Sequence, residues 1–105
     1  MLFRSAFRMQ DALPEVLDLK KESKETLDAY GIGNGPTDNF GRQCLMARRL
    51  AESGVRFIEV THANWDQHNG LKNNLTNNCR AVDQPLGALL ADLAARDMLK
   101  DTLVM

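Results

Sequence analysis

Residues 55–61, Val-Arg-Phe-Ile-Glu-Val-Thr, constrain this chain more than any other stretch. In an extended backbone successive side chains alternate, so Val55 and Phe57 fall on one side and Ile58 and Val60 on the other. Both sides are apolar, the pattern of a strand covered on two faces in a parallel sheet between helices. Just upstream, Cys44, Ala47, Leu50 and Ala51 recur at helical spacing over residues 40–53, widened by Leu45 and Met46. Arg42, Arg48, Arg49 and Glu52 lie mostly on the opposite, solvent side. Thr37, Asp38 and Asn39 offer oxygens to cap the start of this helix. Gly54 suits the left-handed residue that ends it. A helix, a one-glycine turn and a doubly covered strand make half of a strand-helix-strand unit. The expected fold class is therefore α/β, with two to three long helices around a small, mainly parallel sheet and residues 55–61 as its most buried strand.

The remaining segments extend that reading. Leu71, Leu75, Cys79, Val82, Leu86, Leu89 and Leu93 step by three or four, so a long helical stripe runs through this region. Pro85 falls inside it, and either the helix kinks there or a second helix begins there. Thr102-Leu103-Val104-Met105 reads as the opening of another buried strand. Toward the N-terminus, Phe3, Ala6, Phe7 and Leu13 share a helical face that Pro14 interrupts. A weaker pattern follows in Val16, Leu17, Leu19, Leu27 and Tyr30, with Lys20, Lys21, Glu22, Lys24 and Glu25 facing solvent. Gly31, Gly33, Gly35 and Pro36 form a linker. They are not a phosphate loop, since no strand precedes them and no lysine follows at useful spacing. Residues 1–105 are thus expected to be a single, incomplete domain. Its parts are an N-terminal helical segment with a glycine-rich linker (1–35) and a helix-strand-loop-helix-strand unit (36–105).

Composition narrows the function classes. Hydrophobic residues are 44% and charged residues 26% of 105, which suits a globular chain with one modest core. Thirteen basic and fourteen acidic side chains give a net charge of -1, so no broad basic field for nucleic acid exists. No apolar run approaches the ~20 residues of a membrane-spanning helix, and the first residues hold no stretch like a secretory signal. Cys44 and Cys79 lie far apart in neither a redox nor a zinc spacing, and read as two buried free thiols.

Chemistry concentrates in one loop. His62, Asn64, Trp65, Asp66, His68 and Asn69 fall within eight residues and include both histidines and the single tryptophan of the chain. In open parallel α/β sheets ligands bind beyond the carboxyl ends of strands, where this loop would leave residue 61. Asp66 and His68, two apart, share a side of an extended segment, and a carboxylate with an imidazole suits zinc, manganese or iron. His62 adds a third ligand or orients one of the others. The plainer alternative is a surface hydrogen bond between Asp66 and His68. No serine elbow, no Cys-His-Asn set and no glutamate pair occurs elsewhere.

The stretches Phe40-Gly41-Arg42-Gln43-Cys44-Leu45-Met46-Ala47-Arg48-Arg49-Leu50, Gly54-Val55-Arg56-Phe57-Ile58-Glu59-Val60 and Asn64-Trp65-Asp66-Gln67-His68 resemble family 1501 of the domains of unknown function. So do Asp83-Gln84-Pro85, Leu90-x-Asp92-Leu93 and Asp101-Thr102-Leu103-Val104. These are sulfatase-like bacterial proteins that look like distant members of the alkaline phosphatase superfamily. The resemblance implies a partial alkaline-phosphatase-like fold and a hydrolase of sulfate or phosphate esters. It also implies that Asp66 and His68 hold a divalent metal, zinc, manganese or calcium, with His62 behind them. The family's Glu-Phe-Gly-Arg-Thr-Pro and Gly-x-Asp-His elements and its nucleophile segment do not occur here. The chain is accordingly expected to be an internal piece of a larger protein, inactive alone and holding no metal tightly. The competing expectation is a non-catalytic helical interaction module. On either view a homodimer or larger homo-oligomer is expected, through strand edges or the face of residues 71–93.

Overall fold

The computed structural model describes residues 14–63, 65 and 69–105. Among these are the helices α1 (Lys24–Ala29), α2 (Asp38–Glu52) and α3 (Leu71–Ala95), with 3-10 turns at Leu19–Lys21, Gly35–Thr37 and Leu99–Asp101, and residues 14–16 are helical as well. The stripe Phe3, Ala6, Phe7 and Leu13 lies outside the described residues.

The two long helices pack on each other around Tyr30, Cys44 and Leu45, with Leu19, Leu27, Ile32, Phe40, Val60, Ala88 and Leu89 closing over them. Helix α2 ends as its glycine dictates. Gly54 takes φ +98°. Its N–H donates to the Ala51 carbonyl and the Val55 N–H donates to the Leu50 carbonyl, each at 3.1 Å, which satisfies carbonyls the helix itself cannot. The start is less regular. Thr37 occupies the cap position without capping, because its hydroxyl donates instead to the carbonyls of Gly31 at 2.7 Å and Asn34 at 3.0 Å. Asp38 accepts the Gly33 N–H at 2.7 Å and Arg42 Nε at 3.1 Å. The Gly33 amide and the Arg42 guanidinium hold its carboxyl below the ordinary value. The glycine segment is thus a tied turn rather than a loose linker. Helix α3 runs unbroken through Pro85, which is buried inside it, so no second helix begins there. Gln84 beside it reaches across to α1, donating from Nε2 to the carbonyls of Asp28 at 3.1 Å and Ala29 at 3.3 Å.

The expectation of an α/β fold is corrected. Among the described residues there is no strand and no sheet, and the fold is mostly helical. Residues 56–61 make no backbone hydrogen bonds among the described residues. Phe57 is 94% exposed and Ile58 37% exposed, while Val60 alone packs onto the helices. A two-faced apolar run records what its side chains could bury; a strand also needs a neighbour to take its N–H and C=O groups. The second expected strand does not supply one. Thr102 is extended, with φ −123° and ψ 121°. Leu103 and Val104 line the same cavity as Ile58 and Val60, but no ladder joins the two segments.

A cluster of charges sits between the elements. Arg48, expected to face solvent, is 2% exposed. Its Nη1 donates to Glu52 Oε1 at 2.9 Å. Its Nε lies 2.9 Å from Asp92 Oδ2 and its Nη2 3.0 Å from Glu22 Oε1. These last two contacts are close but off the N–H directions, so they are charge pairs rather than aligned hydrogen bonds. The neighbouring Arg49 pairs with Glu22 and donates to the carbonyls of Val16 at 2.6 Å and Glu15 at 2.9 Å. Arg96 holds Glu52 and Asp92, at 2.9 and 2.8 Å. The Tyr30 hydroxyl donates to Asp92 Oδ2 at 2.8 Å. Glu22, also read as solvent-facing, is therefore the anchor of the first 3-10 turn on α2.

Two outcomes follow from this packing. A Cβ on Gly41 would stand 2.2 Å from the Tyr30 carbonyl oxygen, so Gly41→Ala forces α2 away from the turn below it. Thermal or urea unfolding is expected to show a loss of about 1–3 kcal/mol; unchanged stability would contradict this packing. The second outcome concerns acid. Burial pushes the Glu22 carboxyl up, but Arg49 and Arg48 outweigh it and hold the group below its ordinary 4.5. Burial likewise raises Asp92, and Arg96, the Tyr30 hydroxyl and Arg48 bring it below 3.8. Depressed carboxyls stabilise the fold above those ordinary values and lose that contribution as pH falls through the lower, folded ones. Helical circular dichroism is expected to hold steady down to the mid-carboxylate range and collapse below it. Loss of structure between pH 7 and 6 would contradict the assignment.

Candidate functional site

Val60 and Phe40 pack together on the core, and this fixes where the chain leaves residues 55–60. Two residues on, the half-buried His62 ring lies edge-to-face against Phe40, with centroids 5.8 Å apart and planes at 77°. Trp65 meets the same ring at 5.6 Å and 72°. Such edge contacts orient aromatic rings as well as burying them. His62 Nε2 lies 3.2 Å from Asn78 Oδ1, on α3. The loop's far end is tied down where Asn74 Nδ2 donates to the Asn69 carbonyl at 2.8 Å, beside Gly70 in the left-handed region.

Of the residues the sequence singled out, the structure brings His62 and Trp65 together and leaves Asn69 exposed at the rim. Asp66, His68 and Asn64 lie outside the described residues. Among the described residues, no three His, Cys, Asp or Glu side chains converge as a metal set. Phe40 and Asn78 are part of the cluster and had no sequence signal of their own. Phe40 reads as one more apolar residue near a helix start, and Asn78 as one of several asparagines on a polar helix face. Only the fold places the asparagine beside the histidine sixteen positions earlier.

Beside this cluster lies a largely apolar cavity of about 300 Å3. Phe40, Cys44, Ile58, Val60 and Leu89 line it, and Arg48 forms part of its wall. Burial pushes the Cys44 thiol up to about 11. The expectation of two buried thiols is half corrected: both cysteines are free, but Cys79 is exposed. It stands on the outer part of α3, where Leu71 and Leu75 are also uncovered.

Fold and site together define a mostly helical chain with a histidine held between aromatic rings where its two long helices meet a loop. The chain belongs to the family described as "Protein of unknown function (DUF1501)", whose model matches residues 1–105. No curated protein and no solved structure matches it. No helix among the described residues is long and apolar enough to cross a membrane.

The two thiols give a direct check on the cavity. With a thiol-reactive chromophore at pH 8, Cys79 is expected to react at once and Cys44 only when the protein unfolds, since the thiolate is the nucleophile and Cys44 is held as the thiol. Two equally fast thiols would contradict the burial of Cys44.

Proposed function

We propose that this chain forms part of a sulfatase-like, metal-dependent hydrolase of sulfate or phosphate esters, and that it does not turn over substrate by itself. The resemblance in sequence of Trp65-Asp66-Gln67-His68 to the metal-binding element of the alkaline phosphatase superfamily carries this reading. A carboxylate and an imidazole make a donor set suited to a divalent cation of the zinc or manganese kind. Asp66 and His68 would hold the cation. When bound, the metal would polarise the ester and offset charge developing on its oxygens. Among the described residues, the chain's own contribution is to hold the His62 ring against Phe40, beside the core on which Phe40 and Val60 pack.

Zinc titration of the purified chain, followed by calorimetry, tests the pair. Exchangeable binding is expected, weakened tenfold or more in the double variant Asp66→Ala/His68→Ala, about the loss that follows when a metal site is damaged. Identical binding by the double variant would overturn the assignment. Nitrophenyl phosphate and nitrophenyl sulfate are expected to stay intact with zinc, manganese or calcium; turnover that vanishes in Asp66→Ala would contradict the inactive reading.

A second reading, a helical association module, draws on a different observation. Leu71, Leu75, Leu86 and Leu90 on α3, together with Phe57 and Leu103, leave large apolar side chains exposed. Large apolar side chains left exposed in this number favour burial against another chain. A homodimer or larger symmetric oligomer is expected by sedimentation at micromolar concentration, reverting toward monomer in Leu71→Glu/Leu75→Glu. A clean monomer for the unaltered chain would remove this reading.

A further inference from the structure

Two dipeptides in this chain share one latent chemistry. Asparagine is followed by glycine at Asn34-Gly35 and at Asn69-Gly70, and at no other asparagine. Asparagine is a thermolabile residue. Its side-chain carbon, Cγ, can close a five-membered ring on the backbone nitrogen of the next residue. Glycine lets that nitrogen approach, because it has no Cβ in the way. The ring closes only if the asparagine ψ turns, which swings its own carbonyl oxygen and the next nitrogen together. The hydrogen bonds on that carbonyl therefore decide which dipeptide reacts.

Asn34 is locked. Its carbonyl accepts the Thr37 N–H and the Thr37 hydroxyl, each at 3.0 Å, and Thr37 is buried. Its own N–H donates to the Gly31 carbonyl at 3.3 Å. Gly35 opens the 3-10 turn and is restricted further by Pro36 after it. Asn69 is held differently. It is exposed, and its carbonyl accepts one hydrogen bond, at 2.8 Å, from the side chain of the equally exposed Asn74. Its side-chain amide and the Gly70 N–H have no partner among the described residues.

We propose that Asn69 is a site of spontaneous deamidation through Gly70, and that the fold protects Asn34 from the same reaction. The Gly70 nitrogen attacks Asn69 Cγ. The N–Cγ bond forms, the Cγ–Nδ2 bond breaks, and ammonia leaves with the proton that Gly70 gives up. Water then opens the ring at either carbonyl. Opening at Cγ gives aspartate. Opening at the backbone carbonyl carbon gives isoaspartate, in which the main chain runs through Cγ. Nothing is oxidised or reduced. Either product puts a carboxylate just ahead of α3, whose first turn holds no acidic residue and whose start has no side-chain cap. A negative charge there is favourable to the helix. In isoaspartate, the carbonyl that accepts Asn74 Nδ2 becomes a carboxylate off the main chain, so the tie between the loop and α3 is altered.

The test is peptide mass spectrometry of the full chain aged at pH 8, once folded and once in urea. Trypsin releases the two asparagines in separate peptides, residues 25–42 and 57–72. Fragment masses then tell Asn69 from Asn64 and Asn34 from Asn39. Each conversion is read as the mass of an NH exchanged for an oxygen. In the folded chain Asn69 is expected to convert about tenfold faster than Asn34 or more, since Asn34 must first open the hydrogen-bonded turn around the buried Thr37. In urea, where no turn protects either residue, the two rates are expected to converge. Equal rates in the folded chain, or faster loss at Asn34, would overturn the proposal. So would an Asn69 that converts only in urea, because the fold would then protect both sites alike.

Discussion

Arg48 carries a guanidinium that is 2% exposed between the helices, and the rest of the fold is arranged around satisfying it. Glu22 reaches it from the turn before α1, Glu52 from its own helix and Asp92 from α3. Three separate segments therefore meet on one side chain. With Arg49 and Arg96 included, three guanidiniums face three carboxylates, so the cluster is neutral as a whole. That balance matters because an unpaired buried charge costs several kcal/mol, whereas a paired one roughly breaks even with an apolar core. The network specifies which faces of α2 and α3 meet more than it adds to their attraction. Arg48 itself stays charged: burial opposes its protonation, but Asp92, Glu52 and Glu22 more than compensate. The Tyr30 hydroxyl, held neutral first by its burial and then by Asp92, completes the cluster from the core side.

The small apolar core follows from the same geometry. Tyr30, Cys44 and Leu45 are its centre, and Gly41 lets α2 approach the Tyr30 carbonyl closely enough to close it. Both long helices end the same way. Gly54 takes a positive φ after α2, and Asp97 takes φ 59° after α3, where the Met98 N–H donates to the Leu93 carbonyl at 2.9 Å. A side chain in that region is strained where glycine is not. At the opposite end of α3, the apolar stripe continues past its cover, and this leaves Leu71 and Leu75 open.

Helix α2 and its glycine stop were legible in the sequence, because a 3.6-residue apolar period and a terminal glycine are local signals that tertiary contacts reinforced. The long helical stripe from Leu71 to Leu93 was legible for the same reason; the choice at Pro85 was not, since the residue alone permits a kink, a new start or neither. The strand at residues 55–61 was misread. Alternation reports which side chains are apolar, but strand formation depends on a partner elsewhere in the chain, and residues 102–105 do not pair with it. Arg48 was assigned to solvent because a charged residue on a helix usually faces water, and its three acidic partners lie 26, 4 and 44 positions away, at Glu22, Glu52 and Asp92. At the site, the loop with His62 and Trp65 stood out by composition. The contribution of Phe40 and Asn78 could not be read, because their closeness to His62 exists only once α2 and α3 are packed.

The claim that a neutralised, buried Arg48 holds the three segments in register is most directly tested by a double-mutant cycle on Arg48 and Asp92, measured by urea unfolding at pH 7. Arg48→Met alone leaves three carboxylates, Glu22, Glu52 and Asp92, against two guanidiniums, Arg49 and Arg96, and is predicted to cost about 3–5 kcal/mol. Adding Asp92→Leu to Arg48→Met is predicted to recover part of that loss, so that the two changes are coupled by more than ~1 kcal/mol. If Arg48→Met is within ~0.5 kcal/mol of the unaltered protein, the range of an ordinary surface substitution, then Arg48 is not the keystone and the account is wrong.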